Sequence, residues 1–161
     1  MFEPDIVVTD RGDYAERFIV VEVKMSAASL DSVDDELRGY MVRNNYLLGV
    51  LVAPGEIRLY RNRYSSYEAD SVERIGVYAI AEFDQFSSTL VTNRADEMAR
   101  LETAVQDWIE RLPLETTLKE LDEPLRSVLA EEFAPYVRSG EVRAAHHRHQ
   151  PGRAAEARRP R

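Results

Sequence analysis

The chain has 161 residues, 44% hydrophobic and 31% charged, and it has no cysteine. This is the composition of a single globular domain, and it excludes wholesale disorder, disulfides, thiol catalysis and every zinc site built on cysteine. The net charge of −8 conceals an asymmetry: residues 138–161 hold seven arginines and two glutamates, a net of +5, whereas the other 137 residues hold 14 basic and 27 acidic groups, a net of −13. An acidic body repels a polyanion at long range, which argues against a simple DNA-coating protein. Any chemistry on nucleic acid must rest on a local site, on bound cations or on the basic end. The longest apolar run, residues 46–53, has eight residues, far below the ~20 of a membrane helix. The first residues have neither a basic nor an apolar leader region, so a cytoplasmic protein without a secretory signal is expected.

In chain order, residues 5–10 (Asp-Ile-Val-Val-Thr-Asp) and 18–25 (Phe-Ile-Val-Val-Glu-Val-Lys-Met) read as a β-hairpin around the polar stretch with Gly12 and Asp13. Residues 29–45 read as a helix, with Leu30, Val33, Leu37, Tyr40 and Met41 on one stripe and Asp31, Asp34 and Asp35 in its early turns. Residues 46–53 are nearly all apolar and predict a central strand. Pro54-Gly55 makes a turn into an alternating strand at 56–61, a polar loop follows over 62–71, and a last strand is expected at 75–80. Beyond residue 82 the spacing becomes helical. Residues 93–112 carry Met98, Leu101, Val105, Trp108, Ile109 and Leu112 on one stripe. Residues 117–137 carry a second stripe, which Pro124 either starts anew or kinks. The two read as a helical hairpin on the core or at a dimer interface, followed by a disordered basic tail at 139–161 with His146, His147 and His149 among its arginines.

The chemistry-bearing residues are Asp5 and the tripeptide Glu22-Val23-Lys24. Residues i and i+2 of a strand share a face about 7 Å apart. Glu22 and Lys24 therefore project together from an otherwise apolar strand, where charge is costly unless paired or bound. If strand 5–10 pairs with strand 18–25, Asp5 approaches Glu22. Two carboxylates beside a lysine make a site for a hard divalent cation such as magnesium, whose bound water is a nucleophile for a phosphodiester. The lysine would orient that water or stabilise the transition state.

Asp5 followed 17 residues later by Glu22-x-Lys24, then a helix containing Glu36-Leu37-Arg38-Gly39-Tyr40, then Leu48-Gly49-Val50-Leu51-Val52, a turn and Ile57-Arg58-Leu59-Tyr60, resembles the PD-(D/E)xK nuclease superfamily. The order is similar to the N-terminal nuclease domain of type I restriction enzyme motor subunits and covers about residues 4–61. The resemblance implies a restriction-endonuclease-like α/β fold, with a mixed sheet flanked by helices. It implies metal ligation by Asp5, Glu22 and the Val23 carbonyl, a catalytic Lys24, and Mg (or Mn) as cofactor. Some branches support the site with a glutamine and a tyrosine four residues apart on the next helix, positions held here by Glu36 and Tyr40. Many members also carry a helix before the first strand, and this chain begins four residues before Asp5, so that helix is expected to be lacking.

Arg58, Arg61 and Arg63, interleaved with Tyr60, Tyr64 and Tyr67, are candidates to grip a phosphate backbone and stack bases, or else a solvated edge strand. The expected architecture is a four- or five-stranded core at residues 1–81, a helical hairpin at 82–138 and the tail at 139–161. The expected function is that of a Mg-dependent DNA endonuclease, or a nuclease subunit in restriction or phage defence, as a homodimer or within a larger complex, with no membrane partner. The alternative is a catalytically silent nuclease-fold module that binds a partner protein.

Overall fold

In a computed structural model the residues described are 2–12, 16–87 and 93–145. Among the described residues six strands and five α-helices form three layers. The hairpin is β1 (Ile6–Asp10) and β2 (Arg17–Val23), antiparallel with Ile6 opposite Val21. Helix α1 (Leu30–Arg43) then crosses to β3 (Leu48–Ala53), which runs parallel to β2, and β4 (Gly55–Asn62) and β5 (Val72–Ile80) follow antiparallel. Helix α2 (Arg94–Glu110) leads to three short helices, α3 (Glu115–Lys119), α4 (Leu125–Val128) and α5 (Ala134–Ser139). Strand β6 (Gly140–Ala144) closes the order β5-β4-β3-β2-β1-β6. The α/β class and the mixed, helix-flanked sheet are as expected. No described helix is long and apolar enough to cross a membrane.

Both faces of β2 and β3 are covered, which explains why they read as continuous apolar runs. Ile19, Val21, Val23, Val50 and Val52 face a core shared with Leu101, Val105, Trp108, Leu129 and Phe133 of the C-terminal helical layer. Val20 and Leu51 face Leu30, Val33, Leu37 and Met41 of α1. Helix α1 lies close on β3 because position 49 has no side chain: a Cβ there would sit 2.6 Å from the Met41 sulfur. Trp108 is fully buried, with Phe83 edge-on at 5.6 Å between ring centroids, so it belongs to the core.

Two expectations are corrected. The sheet has six strands, because residues 140–144, expected in the unstructured tail, pair along the whole of β1 from Asp10–Gly140 to Ile6–Ala144. This edge strand is held by backbone hydrogen bonds and contributes only one apolar side chain of any size, Val142, so it carries no periodic signal. Gly140 makes the approach possible, since a Cβ there would lie 2.6 Å from the Thr9 carbonyl. The second helix of the expected hairpin is broken. Helix α3 stops at Lys119, Pro124 caps α4, and the turn Leu129–Phe133 is π-helical, with the Ala134 N–H donating to the Leu129 carbonyl. Pro135 has no N–H and its ring crowds the carbonyl four residues back, which widens this turn. The remaining tail, residues 146–161, lies outside the described residues.

Candidate active site

Just before Ile6, which pairs with Val21, the Asp5 N–H donates to the Val21 carbonyl at 3.0 Å and ties Asp5 to β2. Asp5 therefore lies beside Glu22, and the two carboxyls interact through a hydrogen bond and through their charges. The Val23 N–H donates to Asp5 Oδ2 at 2.8 Å and holds the carboxylate in place. The Lys24 N–H donates to the Val52 carbonyl at 3.0 Å, which fixes the lysine backbone at the end of the parallel β2–β3 ladder. The alternation along β1 and β2 sends Asp5, Glu22 and Lys24 to the α1 face, as the i, i+2 spacing predicts.

Both acids are 5% exposed. Burial first, then the hydrogen bond and the charge of Asp5, push the Glu22 carboxyl up to about 9, against the opposing pull of Lys24 and the Val23 N–H. Two like charges in so dry a place cannot both ionise cheaply, so the pair holds a proton.

A cavity of about 420 Å³ opens over this pair, with Asp5, Glu22, Val23 and Lys24 on its wall. Val33 and Glu36 contribute from α1, Met98 and Glu102 from α2, and Phe2 and Glu3 from the residues before β1. The expected residues Asp5, Glu22, Val23, Lys24 and Glu36 thus come together. Tyr40 does not line the cavity. Its ring lies against Tyr46 and Phe2, at 5.8 and 5.2 Å between centroids, and Phe2 lines the cavity.

Glu102 is an addition that the sequence reading lacks. It is 7% exposed and projects from the helix that follows the sheet. A signal for it exists: residue 102 sits within the stripe of Met98, Leu101 and Val105, and an acid in an apolar stripe calls for a reason.

The arginines Arg58, Arg61 and Arg63 are not brought together. Arg58 is buried on the α1 face of β4, bonded to Asp31 at 2.7 Å and Glu56 at 2.6 Å. Burial pulls its guanidinium down, and the two carboxylates more than reverse this, holding it above its ordinary range. Arg61 pairs with Glu132 at 2.6 Å on the opposite face, and Arg63 pairs with Glu73. Tyr64 and Tyr67 are exposed, but their loop follows Asn62, whose N–H bonds the Leu47 carbonyl at the start of β3, the end of the sheet away from the cavity.

Among the described residues no three Asp, Glu or His side chains are already gathered around one point as a metal cage. Magnesium does not require one. It is held by one or two carboxylates and keeps several waters, and the facing oxygens of Asp5 and Glu22 meet that requirement. Comparison with known proteins finds no family model, no curated protein and no solved structure that matches this chain.

Proposed function

We propose that the protein is a metal-dependent phosphodiesterase that cleaves DNA, a restriction or phage-defence nuclease or nuclease subunit of PD-(D/E)xK type. The observation that carries the reading is the buried Asp5–Glu22 pair facing across β1 and β2, with Lys24 on the same face, at the wall of a polar cavity. Perturbed carboxyls of this kind concentrate at functional sites. Asp5, Glu22 and the Val23 carbonyl would hold Mg²⁺ or Mn²⁺, which when bound polarises the phosphate and acidifies water. Lys24, on the same face as Glu22, would orient an attacking water and balance the negative charge that develops on the phosphoryl oxygens. Glu36 on the α1 wall accepts a hydrogen bond from that water, and Tyr40 supports the wall through Phe2.

The test is cleavage of supercoiled plasmid with Mg²⁺ or Mn²⁺. Lys24→Ala and Asp5→Asn are each expected to lose at least about 100-fold in rate. Cutting that survives in both variants would sink the residue assignment.

One observation favours a second reading, a silent nuclease-fold module that binds a partner protein. Arg58, Arg61 and Arg63 are each engaged by a carboxylate of this chain, which leaves the described surface acidic. A cation that binds only the folded state raises its melting temperature. The nuclease reading therefore expects a Mg²⁺-dependent rise that Asp5→Ala abolishes, and the silent module expects no rise.

A further inference from the structure

A second cavity, of about 440 Å³, opens at the other end of the α1 layer, and its size is that of a small-molecule site. Val33, near the start of α1, lines the Asp5–Glu22 cavity, and Val42, near its end, lines this one. The two valines are about 14 Å apart along the helix. The rest of the wall comes from Asn45 after α1, Asn62 at the end of β4, and Tyr64, Ser65, Ser66 and Tyr67 in the loop to β5. In a chain that is 31% charged, none of the described wall residues carries a charge.

The loop is held from below by buried polar groups. Asn62 is 4% exposed and Ser71 is fully buried. Asn62 Oδ1 accepts from the Tyr64 N–H at 2.9 Å and from the Ser71 hydroxyl at 2.8 Å, and Ser71 Oγ accepts from the Ser65 N–H at 3.0 Å. Tyr64 takes a left-handed backbone with φ 55°, as Asn45 does with φ 58°. Asparagine tolerates that region, whereas a residue as bulky as tyrosine rarely adopts it. The rings do not anchor the loop, since Tyr67 is 97% exposed and Tyr64 57%. A buried polar network and a strained backbone thus hold two aromatic rings in water at the rim of a cavity. Strained positions persist where the surrounding structure over-determines them, and they concentrate at ligand sites.

The chemistry of the wall selects the ligand. Tyrosine faces favour a flat ring. The Asn45 amide offers donors and an acceptor side by side, and the Ser65 and Ser66 hydroxyls can do either. A phosphate finds no cation on this wall, and a metal ion finds no carboxylate. A neutral, planar heterocycle with donors and acceptors along its edge meets all of these conditions, and a nucleobase is such a group. A base inside a duplex has its faces covered, so the ligand is an unstacked base of a nucleic-acid strand or the base of a free nucleoside.

We propose that this cavity is a nucleobase site, in which Tyr67 and Tyr64 stack on the base and Asn45, Ser65 and Ser66 bond its edge. The proposal does not depend on the nuclease reading.

The test is titration of the ¹⁵N-labelled full chain with adenosine, cytidine and thymidine, which carry no phosphate for the acidic body to repel. The amide resonances of Asn45, Asn62 and residues 64–67 are expected to shift saturably, and those of Glu22 and Lys24 to stay in place. Deoxyribose and glucose, with no base, are expected to shift none of them. Tyr67→Ala removes a ring that the core does not use and should weaken nucleoside binding about 5- to 100-fold. Tyr67→Phe keeps the stacking face and should change it less than about 3-fold. A short single-stranded oligonucleotide is then compared in EDTA with its abasic counterpart of equal charge. A preference of at least about tenfold for the strand with bases assigns the site to an unstacked base of a nucleic acid. Equal binding of the two strands, with nucleoside binding retained, assigns it to a free nucleoside.

Unmoved resonances at about 10 mM nucleoside would overturn the proposal. So would equal shifts with glucose, which would make this a saccharide site. Undiminished nucleoside binding by Tyr67→Ala would also overturn it, because the exposed ring would then have no part in the site.

Discussion

Two groups of buried charge sit on the α1 face of the same sheet and are built in opposite ways. Around Arg58 and Tyr60 on β4, each charge meets its complement. Arg58 is held by Asp31 and Glu56, Tyr60 donates to Asp34, and Asp34 also accepts from Arg38 at 2.8 Å, whose guanidinium lies over the Tyr60 ring at 5.3 Å. Burial and the neighbouring Asp34 push the Tyr60 hydroxyl above its ordinary range, so it stays a donor. Around Asp5 on β1 and Glu22 on β2, two like groups face each other, and the structure bears the cost as a displaced carboxyl. The first group needs nothing more and welds α1 to the sheet. The second is improved by any cation that enters the cavity. Burial alone does not distinguish the two groups; the sign of the neighbours does.

Four substitutions would break or sharpen this contrast. The largest effect is expected for Arg58→Met, which removes the centre of the neutralised network. Its partners are partly solvated, Asp31 at 78% and Glu56 at 26% side-chain exposure, which tempers the loss to about 2–3 kcal/mol in urea unfolding. Glu22→Gln should move the other way, adding about 1–2 kcal/mol near pH 8, because the amide keeps the shape and is neutral without having to hold a proton that the unfolded chain has released.

The pH dependence arises from the same group. Its folded value near 9 lies above its unfolded value of 4.5. Across that window the unfolded chain has released the proton and the folded chain keeps it, so stability is fullest below the window and falls as pH rises through it. Thermal melts of the wild type should decline from about pH 5 to about pH 9, and Glu22→Gln should flatten this decline. An unchanged pH profile in that variant would refute the shared proton.

Tyr60→Phe removes one hydrogen bond from the network while Arg38 remains on Asp34, an expected loss of about 1 kcal/mol. The smallest effect belongs to Arg63→Ala. Arg63 and Glu73 are both about half exposed, and the change should stay within about 0.5 kcal/mol, inside the error of a thermal melt.

Much of the first half is legible in the sequence. The hairpin, α1, β3 and β4 arise from apolar periodicity, and the i, i+2 rule puts Glu22 and Lys24 on one face. Strand pairing then brings Asp5 close to Glu22, as the hairpin reading expects. The second half is less legible, because its signals conflict. The stripe over residues 117–137 is helical, yet Pro124 and Pro135 each forbid a continuous ladder, and spacing alone does not show how the backbone yields. Glu102 is hard to single out because it lies in a stripe whose apolar members already explain the helix. Arg58, Arg61 and Arg63 look like a basic run, although alternate residues of a strand face opposite layers, so Arg58 and Arg61 part company as soon as the sheet is covered on both sides.

By itself the sequence determined the local elements, the apolar faces and the shared face of Glu22 and Lys24, since these depend on neighbours a few residues apart. Only the tertiary structure decided that Glu36 and Glu102 line one cavity with Asp5, that Arg58, Arg61 and Arg63 are already engaged, and that β6 ends beside Asp5. Those facts depend on backbone hydrogen bonds and burial between residues up to about 140 positions apart, as Asp5 and Ala145 are. No local pattern encodes them, because every residue other than proline has the same backbone donor and acceptor.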